Sequence, residues 1–230
     1  MNPRISLRKP QNAAFTLIEL LTVMAIIAIL MKLLLTALTS AKEQARSAKA
    51  KSAVAGIVVA CNQYKTDYGK FPPVTAALNS DKTYYSYGDT ATGGCKVGNE
   101  QLFDILRAIS RSANDKHVMN PKQQPYITMQ KANTPKNPKE GFVDGSEFTG
   151  TQGRLMDPWG AQYCVVLDGS DTETIDMSAF YTDLSGTANV VRQSAVAFSM
   201  GKDNKRGGKG YQNQLRKSGS NETPDDTVSW

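Results

Sequence analysis

The hydrophobic pattern divides the chain sharply. From Phe15 to Leu38 almost every position is apolar, interrupted by Glu19, Lys32 and a few threonines. No helical face is spared, as expected of a segment surrounded by lipid, and its length exceeds the ~20 residues that cross a hydrocarbon core of ~30 Å. Polar residues return after Leu38 in TSAKEQARSAKAKSAV, without a proline, and apolar positions then recur at Val54, Ile57, Val58, Cys61, Tyr64 and Tyr68. Steps of three and four place these on one face. The pattern therefore predicts one helix over 15–68, apolar all round at first and amphipathic afterwards, about 80 Å long at ~1.5 Å per residue. Gly69, Pro72 and Pro73 stop it.

Beyond Pro73 the periodicity breaks. The stretch to Asn99, centred on YYSYGDTATGGC, reads as a loop. Leu102, Phe103, Leu106 and Ile109 return to helical spacing over 100–110, with Asn99 as the N-cap. Residues 112–140 are polar, carry Pro121, Pro125, Pro135 and Pro138, and read as an insertion. From Gly141 the pattern becomes that of strands. GFVDGSEF has an Asp-Gly centre suited to a hairpin, Tyr163–Leu167 is a compact β-rich run, and 194–200 alternates through Val196 and Phe198, with 172–182 a more ambiguous strand. The expected architecture is α+β: a small antiparallel sheet whose apolar face is covered by the amphipathic half of the long helix, in two layers. The expected organisation is a leader at 1–14, a membrane half of the helix at 15–40 and a head at 41–230. Within the head come the helix to 69, loops and a short helix at 70–140, a sheet at 141–200 and a C-terminal loop at 201–230.

Composition narrows the function. A chain of 230 residues and 25.0 kDa holds one moderate domain besides the apolar segment. Arg4, Arg8 and Lys9 account for three of the 27 basic residues, so the rest of the chain has 24 against 21 acidic ones, a net charge of +3. That is too mild, and without a recognisable module, for a nucleic-acid footprint. Cys61, Cys95 and Cys164 form no C-x-x-C pair, which argues against a zinc site. They fit either one disulfide with one free thiol, the pairing unspecified, or three buried thiols acting as small hydrophobes. His117 is the only histidine and lies beside Asn114, Asp115 and Lys116 in a stretch that reads as a solvated loop. Histidine-based catalysis needs a supported imidazole, so no catalytic residue is assigned and the protein is expected not to be an enzyme.

Glu19 is the odd residue. A carboxylate at the centre of a lipid-embedded helix costs roughly 2.5–3.5 kcal/mol, and less towards the ends, so it needs a compensating partner. The basic, acid-free MNPRISLRKPQNAA favours a cytoplasmic leader. Cleavage between Ala14 and Phe15 would free an amine four residues before Glu19, able to neutralise it within one helix or between side-by-side copies. Lys32 lies about 26 Å along the helix from Phe15, near the outer interface, where its ammonium can snorkel.

Ala14-Phe15-Thr16-Leu17-Ile18-Glu19-Leu20-Leu21-Thr22-Val23 resembles the processing motif of type IV pilins and type II secretion pseudopilins. The resemblance implies that a prepilin peptidase cuts before Phe15 and methylates its amine, and that Glu19 seats the subunit against a neighbour. Two further stretches, Gln63–Pro73 (QYKTDYGKFPP) and Met156–Val165 (MDPWGAQYCV), resemble the major pseudopilin of type II secretion. So does the C-terminal pairing of FSMGKD, 198–203, with DDTVSW, 225–230, which in that branch wraps a calcium ion. It implies Asp203, Asp225 and Asp226 as ligands, completed by carbonyls such as those of Met200 and Val228. Lys202, Lys205, Arg206, Lys209, Arg216 and Lys217 oppose it electrostatically, and a basic loop closed by Trp230 is the competing reading.

The resemblance thus implies a single-pass subunit of the cytoplasmic membrane with its head in the periplasm or outside the cell. Its implied function is that of a filament subunit supporting protein secretion, with copies of itself, minor pseudopilins, the peptidase, an inner-membrane assembly platform and a motor ATPase as partners. Three alternatives stand beside it. One is a type IV pilus subunit for adhesion or DNA uptake. Another is a tethered or secreted binding domain whose basic loop, 202–217, contacts a polyanion. The third is a secreted enzyme released near Thr39-Ser40-Ala41.

Overall fold

A computed structural model describes residues 16–133, 136–145, 148, 150–181, 190–207 and 226–230. The chain falls into two compact units, Met1–Gln44 and Ala45–Trp230. Helix α1 (Leu17–Tyr68) has the expected extent. Gly69 ends it with φ +75 and donates its N–H to the Lys65 carbonyl at 2.8 Å, a conformation that a side chain would strain.

The head is built on a four-stranded antiparallel sheet in the order β1-β4-β7-β8: β1 Tyr84–Tyr87, β4 Cys164–Asp168, β7 Ala195–Ser199 and β8 Thr227–Val228. Two smaller ladders pair β2 (Gly141–Phe142) with β3 (Leu155–Met156) and β5 (Ile175–Asp176) with β6 (Val190–Val191). Every residue of β4 and β7 is buried. Val165, Leu167, Ala195 and Ala197 face a core formed by Val54, Ile57, Cys61 and Tyr64 of α1 together with α2 (Glu100–Leu106). Cys164, Val166, Val196 and Phe198 face the other way, into a second cluster with Met177, Phe180, Tyr181, Met200 and Trp230. The sheet is therefore covered on both faces, where two layers were expected. The alternation through Val196 and Phe198 marks two buried sides, not a buried side and a wet one.

Three local expectations change. Tyr84–Tyr87 is an edge strand, not a loop, with Tyr85 opposite Leu167 and Tyr87 opposite Val165. Helix α2 ends at Leu106, so Ile109 lies beyond it, and the Asn99 side chain makes no cap. Its amide donates instead to the Leu155 and Tyr163 carbonyls at 2.9 and 3.0 Å and accepts from Leu155 N–H at 3.1 Å, tying α2 to the strands. The β2–β3 hairpin does not close tightly on Asp144-Gly145, because Val143 still pairs with Arg154 at 2.9 Å. Asp144 accepts from Arg107, whose guanidinium lies 3.9 Å from the Phe142 ring centroid.

Residues 112–127 are more than an inserted loop. Asn120 is fully buried, donates to the Ile105 and Gln124 carbonyls at 2.8 Å each and accepts from the Tyr68 hydroxyl at 2.8 Å. Asn114, also fully buried, donates to the Ile109 carbonyl at 3.0 Å and accepts from the N–H groups of Met119 and Asn120. These amides do for a polar stretch what backbone ladders do elsewhere. His117 is half-buried rather than solvated, with its Nδ1 enclosed and unbonded among the described residues.

Candidate functional site

At the start of α1, Glu19 and Thr16 satisfy one another. The Thr16 N–H and hydroxyl each donate to Glu19 Oε2 at 2.8 Å, and the Glu19 N–H donates to Thr16 Oγ1 at 3.3 Å. This is a capping box, in which a hydroxyl and a carboxylate three residues apart cover the unpaired donors of a first helical turn. Its signature, Thr16-Leu17-Ile18-Glu19, is local and readable in the sequence. The acid therefore has local partners before any neighbour arrives. Oε1, outside these three bonds, is the oxygen available to a further donor. Ala14, Phe15 and Asp225 lie outside the described residues, as does the basic loop beyond Gly207.

The rest of the segment is suited to lipid. Every residue from Thr16 to Lys42 is exposed, and the most apolar window of α1 has a mean hydropathy of 2.5. The Thr22, Thr36 and Thr39 hydroxyls donate to the carbonyls of Glu19, Leu33 and Thr36 at 3.0, 2.8 and 2.9 Å, so these polar groups need no water. Lys32 is an exposed cation within this stretch.

On the head, the Asp157-Pro158-Trp159-Gly160 turn is organised by its carboxylate. Asp157 is fully buried, and its Oδ1 accepts from the N–H groups of Trp159, Gly160 and Ala161 at 3.0, 2.7 and 2.9 Å. Its Oδ2 accepts from the Ser199 hydroxyl at 2.6 Å, fastening the turn to β7. Burial pushes the Asp157 carboxyl above its ordinary range, against the pull of these four hydrogen bonds. Pro158 and Gly160 are turn formers by type and Trp159 is buried. The bond to Ser199 has no mark in the local sequence, because its partner is so distant along the chain.

The C-terminal acids have other work. Asp203 Oδ1 accepts from the Lys205 N–H at 2.8 Å, while Asp226 Oδ2 accepts from the Tyr181 hydroxyl at 2.9 Å and the Gly207 N–H at 2.7 Å. Between these loops the Arg206 guanidinium donates to the carbonyls of Thr92, Ala179 and Phe180 at 3.1, 3.3 and 2.7 Å. A fixed cation thus gathers carbonyl oxygens from separate segments. Calcium wants six to eight oxygens, and among the described residues no group of three or more His, Cys, Asp or Glu could hold a metal. Of the three expected ligands, Asp203 and Asp226 hold the partners named above, and Asp225 lies outside the described residues. Arg206→Ala is expected to lower stability by about 1–3 kcal/mol, three acceptors losing their donor, while chelator and added calcium leave the melting temperature unchanged. A chelator-dependent fall in thermal melts would show that a metal holds this loop.

Residues 9–31 match the prokaryotic N-terminal methylation motif, the prepilin signal of type IV pilin-like proteins. The matched span includes Ala14, Phe15 and Glu19 and ends inside the apolar half of α1. It implies processing by prepilin peptidase and filament assembly, and together with the apolar helix it supports single-pass membrane anchoring. No curated protein and no solved structure matches the chain.

Proposed function

We propose that this chain is the structural subunit of a type II secretion pseudopilus, of the major-pseudopilin kind, and that it is not an enzyme. The observation that carries the reading is the pairing of a prepilin signal with an exposed apolar stretch of α1, residues 17–42, whose only acid, Glu19, stands in the first turn. In this reading the cut falls between Ala14 and Phe15, the new Phe15 amine is methylated, and Glu19 receives the amine of an adjacent copy. The head lies across the membrane from the leader. The assembly partners are copies of the chain, minor pseudopilins, an inner-membrane platform and its motor ATPase. The buried Asp157 turn at the entry to β4 supports the secretion branch over a type IV pilus, because the DPWG stretch, like the Asp-rich C-terminus, is a part of the head that resembles that branch.

Intact-mass measurement on the chain purified from membranes tests the first step. The expected species begins at Phe15 and carries one added methyl group. Retention of Met1 would remove the filament reading, and a start near Lys42 would indicate release by an ordinary signal peptidase. Deleting the gene and finding secreted enzymes trapped inside the cell, with surface pili intact, tests the secretion branch. Lost pili with normal secretion would select the pilus alternative.

A further inference from the structure

The three cysteines are not equivalent. Cys61 belongs to the core between α1 and the sheet, whereas Cys95 and Cys164 share the cluster on the opposite face. Strand β1 ends at Tyr87 opposite Val165, which brings the next residue, Gly88, alongside Cys164. On its other side the chain returns at Val97, whose carbonyl accepts the Gly88 N–H at 2.8 Å. The intervening loop is folded back by Asp89. Its carboxylate accepts from the N–H groups of Ala91 and Thr92 at 2.8 Å each, and its carbonyl accepts from Cys95 N–H at 3.1 Å.

The two sulfurs meet over Gly88. A methyl group placed on that glycine would stand 2.8 Å from Cys164 Sγ and 3.0 Å from Cys95 Sγ, and one on Gly93 would stand 2.6 Å from Cys164 Sγ. Any side chain at either position would take the room the sulfurs occupy. Both cysteines are buried among apolar groups. The hydrogen bond with Cys164, then burial, holds the Cys95 thiol well above its ordinary range, while burial alone pushes Cys61 up to about 12.

We propose that Cys95 and Cys164 form a disulfide in the mature head and that Cys61 remains a thiol. The inference rests on the proposed placement of the head outside the reducing cytoplasm. The two thiols give up two protons and two electrons as the S–S bond forms, and the electrons reduce a disulfide oxidant, protein or small-molecule, to its dithiol. Exchange requires an accessible thiolate, and both sulfurs are buried in the folded head. The bond therefore forms while the 88–97 loop is still closing onto β4, and is afterwards shielded from reductant.

The full-length chain, extracted from membranes in detergent, is denatured without reductant in the presence of iodoacetamide and digested. The expected result is one alkylated cysteine, Cys61, and a linked pair of peptides containing Cys95 and Cys164. Three alkylated thiols, or any linkage through Cys61, would overturn the proposal. A parallel sample, reduced, unfolded and refolded with oxidised glutathione, locates such a failure. Linkage only on refolding would mean that the geometry is right and the compartment wrong. No linkage in either sample, with the mature chain still starting at Phe15, would mean that the geometry is wrong and the filament reading untouched. Reductant should lower the melting temperature by about 5–15 °C in the parent and in Cys61→Ser, and should leave Cys95→Ser and Cys164→Ser unmoved. An equal reductant effect in all four would also overturn the pairing.

Discussion

Asp157→Ala is expected to destabilise the head by about 3–5 kcal/mol and Asp157→Asn by less than about 1 kcal/mol. The alanine strands three N–H donors, of Trp159, Gly160 and Ala161, together with the Ser199 hydroxyl, all at a fully buried position. Asparagine keeps an oxygen for the three amides and offers its own N–H to Ser199 Oγ, so the geometry survives without the charge. The pH dependence separates charge from shape. A carboxyl whose pKa is higher in the folded chain than in the unfolded one binds more protons when folded. Its contribution to stability therefore falls as pH rises from about 3.9 through the raised folded value. Asp157→Asn should remove that part of the decline. Asp104, pushed up mainly by burial against the pull of Arg111, keeps its own part. Urea titrations at mildly acidic and neutral pH check this. Equal losses for Asn and Ala, with an unchanged pH slope, would show that Asp157 does not act through these bonds.

Glu19→Ala and Glu19→Gln should both reduce filament assembly by more than tenfold, and the comparison between them decides what the acid does. Glutamine retains a carbonyl oxygen for the Thr16 N–H and hydroxyl, so it preserves the capping box seen at the head of α1. It cannot supply the negative charge that a neighbour's amine would meet. If capping were the whole role, the glutamine variant would assemble like the parent, and Thr16→Ala would be as damaging as Glu19→Ala. If pairing with an amine is the role, Thr16→Ala should lose only about 1 kcal/mol at the helix end and still assemble. Shearing filaments from cells and quantifying the subunit, alongside its level in membranes, distinguishes loss of assembly from loss of insertion.

The parts of the fold that were legible are those set by long-range periodicity or by strong local punctuation. About fourteen turns of α1 announce themselves through composition and then through a three-four rhythm, and Gly69 with Pro72 and Pro73 cannot be read as helix. β1 was hidden because Tyr84–Tyr87 lies among serines, glycines and aspartates, although three tyrosines in four residues already favour a pleated surface. β8 is two residues long and exists only because Phe198 and Ser199 offer it an edge. The same limit applies to the sites. Thr16 and Glu19 are three residues apart and so visible, whereas Arg206 finds its carbonyls at Thr92, Ala179 and Phe180, partners that only the folded chain assembles.

The order of the main sheet has a kinetic consequence. β4 is flanked by β1 and β7, each separated from it by long stretches of sequence, so none of its ladders can begin from a short hairpin. Distant pairings must await loop closure and form slowly. A nascent chain of this design therefore leaves β1 and β4 without their full sheet until β7, late in the sequence, has been made, and the head condenses only near the end of synthesis.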